Sequence, residues 1–370
     1  MGAIYLDHNA TAPVLPEAAQ AVRAALALTG NPSSVHGFGR AARKLMEDSR
    51  AAVAALAGAL PEEVTFTSGA TEANNLVLGG AGRRRLLVSA IEHVSVLEAA
   101  PGATRIPVDG DGLVDLVALE ELLRADSEPA LVSLMLANNE TGVIEPVREA
   151  ARLAHGHGAL FHCDAVQAPG RIRFDVRELD ADYLTLSSHK IGGPQGAGVL
   201  IVRGGAPLKA QIRGGGQERG RRGGTENLPG IAGFGAAARA VSGALLSVAS
   251  IEALRDRLEA RLLERVRGLA IFGRRAPRLP NTSCFAVAGL ASETQVIALD
   301  LAGFAVSAGA ACSSGRVRAS HVLEAMGVEK TLVGSAIRVS LGGTTTAEEI
   351  DAFTAAWLAL HERLAPRDAA

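Results

Sequence analysis

An α/β fold with a largely parallel sheet is what this sequence predicts, on three observations. Short apolar runs of about four to eight residues alternate with helical patterns for most of the chain, as strands interleaved with crossover helices do. The 370 residues are 48% hydrophobic, enough for one large core with a satellite or for two units of ordinary size. From Ser250 onward the order changes: a long amphipathic helix comes first, and a second, smaller α/β set follows it.

Taken in order, the first alternation is the strand run "EVTFTSG" followed by the helical "TEANNLVLGG". "ALVSLMLAN" then leads into "VREAARLAHGHG", and "ALFHCDAV" is followed by the strand runs "DYLTLSSHK" and "GVLIV". In "SIEALRDRLEARLLERV", Ile251, Leu254, Leu258, Leu262 and Val266 fall on one helical face and mark a packing helix. Beyond it lie the strand "TSCFAV", the helix "SETQVIALDLAG", the strand "FAVSAG", the helix "SHVLEAMG", the strand "AIRVSLG" and a terminal helix ending near Leu364. Parallel α/β sheets collect their sites beyond the carboxyl ends of the strands. The polar clusters "SGATEANN", "NNETG", "DAVQ" and "SSHK" all stand there.

The formal net charge is -2, with both signs spread along the chain, so no basic face argues for nucleic acid or acidic lipid. Cys163, Cys284 and Cys312 are too few and too scattered for a disulfide framework, and none has zinc-ligand spacing. They read as reduced thiols. "MGAIYLDHNATAP" has neither the charged nor the apolar region of a secretion signal, and no apolar run is long enough to cross a membrane. The expectation is a soluble, cytoplasmic protein with a small-molecule partner.

Only four lysines occur, at positions 44, 190, 209 and 330. Lys190 ends a strand before a glycine-rich turn and has two readings: an exposed loop lysine, or a desolvated amine of lowered pKa able to form a Schiff base. Asp164 ends the strand "FHCDAV"; a buried carboxylate there needs a cation or a donor, and the protonated ring nitrogen of pyridoxal phosphate would serve. In "FTSGATEANN" the chain turns through Gly69 into a helix whose first amides suit a phosphate, although an ordinary cap at Ser68 or Thr71 explains it equally well. "GGG" at Gly214 to Gly216 lacks the spacing of a dinucleotide loop. His93 also follows a strand, either as a satisfied core histidine or as one that stacks on a cofactor ring and moves protons. His155 and His157 match a helix C-terminus. His162 shares a strand face with Asp164, but two ligands without a third do not make a metal site. Cys312 lies in "SAGAACSSGRVRASHVL", where small flanking residues fit either inert packing or a thiol that must move.

Ten stretches in fixed order carry a resemblance: "YLDHNATAP", "GNPSSVHGFGRAA", "FTSGATEANN", "IEHVSVL", "LANNETGVIEP", "DAVQ", "SSHKIGGPQGAG", "GGGQERGRRGGTEN", "SAGAACSSG" and "IRVSLG". Together they resemble the cysteine desulfurases of the NifS/IscS type, in the class V aminotransferase group of fold-type I pyridoxal phosphate (PLP) enzymes, from about Ile4 to Leu364. The resemblance implies a large domain, residues 15–250, with a mostly parallel seven-stranded sheet flanked by helices. A smaller α/β domain would comprise 1–14 and 251–370 and carry a cysteine loop at about 310–322.

It further implies that Lys190 carries the cofactor, that Asp164 meets the pyridine nitrogen and that His93 stacks on the ring. Gln167 and Asn139 would contact the ring oxygen, with Asn139 also near the substrate. Ala70, Thr71, Ser187 and His189 would hold the phosphate, joined by Thr225 from the other subunit of a homodimer. Arg338 would clamp the substrate carboxylate, for which a bidentate guanidinium is apt. Cys312 would take sulfur from L-cysteine as a persulfide, leaving alanine, and pass it to an iron–sulfur scaffold or another acceptor protein. Arg316, Arg318 or His321 would help to form its thiolate. No metal is expected in the PLP site, with Cys312 the one candidate for a transient iron–sulfur ligand. Two departures from the family pattern stand out: His8, which touches on the substrate pocket, and Cys163, whose side chain should face away from Asp164 into the core. The rival readings are a transaminase or selenocysteine lyase on the same fold, a Cys312/His321 thiol hydrolase, and a non-catalytic sulfur carrier.

Overall fold

The apolar runs become the interior of a seven-stranded sheet. The computed structural model describes residues 3–241, 248–308 and 319–364. Its first part runs β1 (Ile4–Tyr5), α1 (Pro16–Leu26), α2 (Gly37–Ala57), β2 (Val64–Thr67), α3 (Ala70–Gly80), β3 (Arg85–Ser89), α4 (Val94–Leu97) and β4 (Thr104–Ile106). It continues through α5 (Leu116–Arg124), β5 (Ala130–Ser133), α6 (Val147–Gly156), β6 (Leu160–Asp164), β7 (Tyr183–Ser187), β8 (Gly198–Val202) and α7 (Leu228–Val241). The sheet order is β2-β8-β7-β6-β5-β3-β4. β8 runs antiparallel to both of its neighbours, and every other pairing is parallel. Every residue of β5, β7 and β8 is buried, as expected of strands covered on both faces. One face packs under α2, α5, α6 and α7, and the other under α3 and α4. Cys163 belongs to the first of these cores and is fully buried. Burial pushes its thiol well above its ordinary pKa.

The remainder runs α8 (Val248–Arg265), β9 (Ala270–Ile271), β10 (Thr282–Ala286), α9 (Ser292–Leu301), β11 (Phe304–Ala305), β12 (Ser307–Ala308), α10 (His321–Ala325), α11 (Lys330–Val333), β13 (Ile337–Ser340) and α12 (Ala347–Leu364). A four-stranded antiparallel sheet, β12-β13-β10-β9, packs on α8 and α12 through Leu258, Leu262, Phe285 and Trp357. The single strand expected over "FAVSAG" is two. Phe304–Ala305 pairs with β1, and after Val306 the chain changes partner so that Ser307–Ala308 pairs with β13. That switch carries the N-terminal segment into the second core, where Leu6 is buried. It also sets Ser307 and Cys284 opposite Arg338, one on each side of β13. Among the described residues no helix is long and apolar enough to cross a membrane.

Candidate active site

The carboxyl ends of β3, β5, β6 and β7 and the turn from β2 into α3 open on one cavity of about 430 Å³. Ala70, Thr71, His93, Asn139, Asp164, Gln167, Ser187, His189, Lys190 and Arg338 all line it. The sequence distributes them over eight elements and loops, and the fold brings them together.

The α3 turn differs from the capped helix start weighed above. Gly69 is the N-cap and no side chain caps it. Glu72 instead accepts from the Ser68 amide at 2.8 Å, and Thr71 sits inside the first turn. Gly198 of β8 lies so close to Gly69 that a Cβ there would meet its backbone. The first amides of an eleven-residue helix therefore open on the cavity, an arrangement suited to an anion.

Asp164 is buried and accepts from Asn74 Nδ2 at 2.8 Å and from the Val166 amide at 3.1 Å, both uncharged donors. The other hydrogen-bond partner of Asn74 Nδ2 is Ser95 Oγ at 2.9 Å. Ser95 Oγ is in turn 2.8 Å from His93 Nδ1, which accepts from the Ser95 amide at 3.1 Å. Because Nδ1 already accepts that amide, the hydroxyl donates to it as well, and a chain of hydrogen bonds runs from Asp164 to His93 with Nε2 left to carry the ring proton. Burial holds His93 below its ordinary pKa, Asp164 opposing and Lys190 and His321 reinforcing.

Lys190 Nζ donates to the carbonyls of Asn9 at 2.6 Å and Ala10 at 2.8 Å. Burial, followed by the charges of Arg338 and Arg171, lowers its pKa to about 7, against the pull of Asp7 and Asp164. Burial and Lys190 take His189 down to about 4, and its Nδ1 is 3.2 Å from Thr11 Oγ1. Gln167 donates to the Asn9 carbonyl at 3.1 Å and accepts from Arg171.

Several residues the sequence reading left without roles prove central. Asn9 accepts from Lys190 and Gln167, and its side chain donates to Thr282 at 2.9 Å and to the Asn139 carbonyl at 3.1 Å. It ties the N-terminal segment to both sheets. Asn74 had a visible signal, a polar residue on the apolar face formed by Ala73, Leu76 and Val77. Asp7 and Asn9 stood in the motif "YLDHNATAP" without a role, because the pairing of β1 with β11 and the bridge from Asp7 to Ser340 are what deliver them.

Other expectations divide. Thr225 is exposed and does not line the cavity. Cys312, Arg316 and Arg318 lie outside the described residues. His321 is half-buried, with Nε2 2.9 Å from the Glu92 carbonyl. Ser320, where the helix was expected to begin, caps α10. It also donates to the buried Glu140 at 2.5 Å. His8 packs edge-on against Tyr5 and over Gly342, in the wall of a second cavity of about 240 Å³ that Lys190 also lines, and does not line the first. His162, set between Ser133 and Thr185, is held neutral by burial at about 4. Among the described residues no group of three metal-ligating side chains forms. "GGGQERGRRGGTEN" is not simply a solvated basic loop. Glu218 in it accepts from Arg50 at 2.7 and 2.8 Å in the interior, and Arg222 donates to Glu72 at 2.8 Å.

An amine of lowered pKa, a buried carboxylate and an uncapped helix start thus face one cavity. The chain belongs to the class-V aminotransferase family, whose description matches residues 4–353. Its relatives within that family are cysteine desulfurases. One from Cereibacter sphaeroides is 48% identical over 95% of this chain and 94% of its own length. The cysteine desulfurase IscS of Dictyoglomus turgidum is 39% identical over 94% of this chain and 92% of its own. Among solved structures, a NifS-like protein from Rickettsia africae superimposes with a TM-score of 0.89 at 37% identity, covering 97% of this chain and 99% of that one.

Proposed function

We propose that this chain is a PLP-dependent cysteine desulfurase that converts L-cysteine to L-alanine and retains the sulfur on Cys312. The observation that carries the reading is the meeting of Lys190, Asp164 and the uncapped start of α3 around one cavity. Asp164 is buried with only neutral donors and suits a ring cation; the α3 amides suit a phosphate; a lysine near pKa 7 suits a carbonyl. Bound PLP supplies an electron sink for charge developing at the substrate Cα.

The residues then divide the work. Asp164 would keep the ring nitrogen of bound PLP protonated, and His93, oriented through Ser95 and Asn74, would meet its ring. Ala70, Thr71, Ser187 and His189 would hold the phosphate, with Thr225 contributed by a second copy of the chain. Gln167 and Asn139 would address the ring oxygen. Arg338, whose Nε is buried without a partner among the described residues, binds the substrate carboxylate. Lys190 Nζ removes the Cα proton and returns it. The Cys312 thiolate attacks the substrate sulfur; the Cβ–S bond breaks, its electrons take up a proton at Cβ, and alanine departs from an enzyme persulfide. Residues 15–250 form the cofactor-binding unit in this reading, and 1–14 with 251–370 form the unit that carries the thiol. The sulfur passes to an iron–sulfur scaffold or a comparable acceptor.

Absorbance of the purified, PLP-supplemented protein tests the cofactor. A band near ~420 nm is expected, lost in Lys190→Ala. No band in the wild type would overturn the reading.

A further inference from the structure

Arg338 reaches the cavity from β13 with 1% of its side chain exposed. A buried guanidinium is a useful receptor only when its donors are fixed in direction. Two groups hold it. Asp7 Oδ1 accepts from Nη2 at 2.7 Å, the Asn139 carbonyl accepts from Nη1 at 2.9 Å, and Nε is buried with no partner among the described residues. Asp7 is itself fixed. Its Oδ2 accepts from Ser307 Oγ at 2.8 Å, and its backbone bridges Ser340. With both oxygens committed, the carboxylate holds Arg338 from the side while Nε and the remaining Nη hydrogens stay open.

We propose that Asp7 is the positioning residue of the amino-acid carboxylate site, holding Arg338 so that its free donors meet the α-carboxylate of the substrate. This rests on the reading that Arg338 receives that carboxylate. The sign of the effect separates positioning from simple charge balance. If Asp7 only neutralised Arg338, removing it would strip a negative charge from beside the site and tighten carboxylate binding. If it positions, removal loosens binding despite the gained charge.

The test titrates the PLP-loaded holoprotein, followed by the absorbance of the bound cofactor, with L-alanine and with ethylamine, which differ only in the carboxylate. Wild type should prefer L-alanine; equal binding of the two would sink the Arg338 reading and this inference with it. In Asp7→Ala, L-alanine should bind about tenfold weaker or more, the worth of one charge-assisted hydrogen bond, with ethylamine changed less than about twofold. A wild-type preference that Asp7→Ala leaves intact or increases overturns the inference alone, as does equal weakening of both ligands. Should Asp7→Ala not take up PLP, Asp7→Asn, which keeps an acceptor for Nη2, is read by the same ratio with a smaller selective loss expected.

Discussion

Lys190 is one of four lysines, and the amine that must attack a carbonyl has to be neutral to do so. Its pKa near 7 comes from burial and from the two arginines facing it, so the reactive fraction grows as pH rises through that value. The rate at which PLP-free protein takes up PLP should climb between about pH 6 and 8 and level off above; a rate independent of pH there would contradict the amine's assigned state. His93→Ala should keep the cofactor's absorbance while alanine formation falls about a hundredfold, the scale of a positioned acid–base group. Unaltered turnover would return His93 to a capping role. Lys190, Asp164 and His93 were legible because each ends or closely follows an apolar strand. Asp7, Asn9 and Ser95 were not, since each acts through a hydrogen bond to a residue far away in the chain or hidden behind another.

At the scale of elements, the sequence foretold the interior strands well, since β5 to β7 are short, largely apolar runs that end in a polar residue and β8 is apolar throughout. It missed the split of "FAVSAG", because two residues are enough to pair with a neighbour and periodicity cannot register a change of partner after so few. The glycine-rich loop shows what composition conceals. Glu218 takes three donors, two from Arg50 and one from the Phe66 amide at 2.8 Å, in an interior where both side chains are 2% exposed. Removing Glu218 leaves the buried Arg50 only the half-exposed Glu47 and the Val64 carbonyl, so Glu218→Ala should cost about 3 kcal/mol by denaturant unfolding. A cost below about 1 kcal/mol would mean that the loop is not anchored there.

For the whole molecule, the buried carboxyls shape stability. Burial raises Glu145 to about 8 and Glu140 to about 7, the latter against hydrogen bonding by Ser320 and the charge of Arg338. Both lie above their unfolded value of 4.5, so the folded chain binds more protons than the unfolded one. Their stabilising contribution is complete below about 4.5 and is lost as pH rises through about 7 to 8. The melting temperature of wild type should therefore fall more between pH 6 and 9 than that of Glu145→Gln; equal falls would place the proton elsewhere.

The proposed reaction turns on a single covalent event that joins the Lys190 cavity to a thiol more than a hundred residues downstream. Its most direct measurement is mass spectrometry of the PLP-loaded protein after a brief exposure to L-cysteine without reductant. One added sulfur atom is expected on the peptide bearing Cys312, matched by alanine, with both absent in Lys190→Ala. Alanine formed by wild type while Cys312 remains unmodified and Cys312→Ala stays fully active would contradict it.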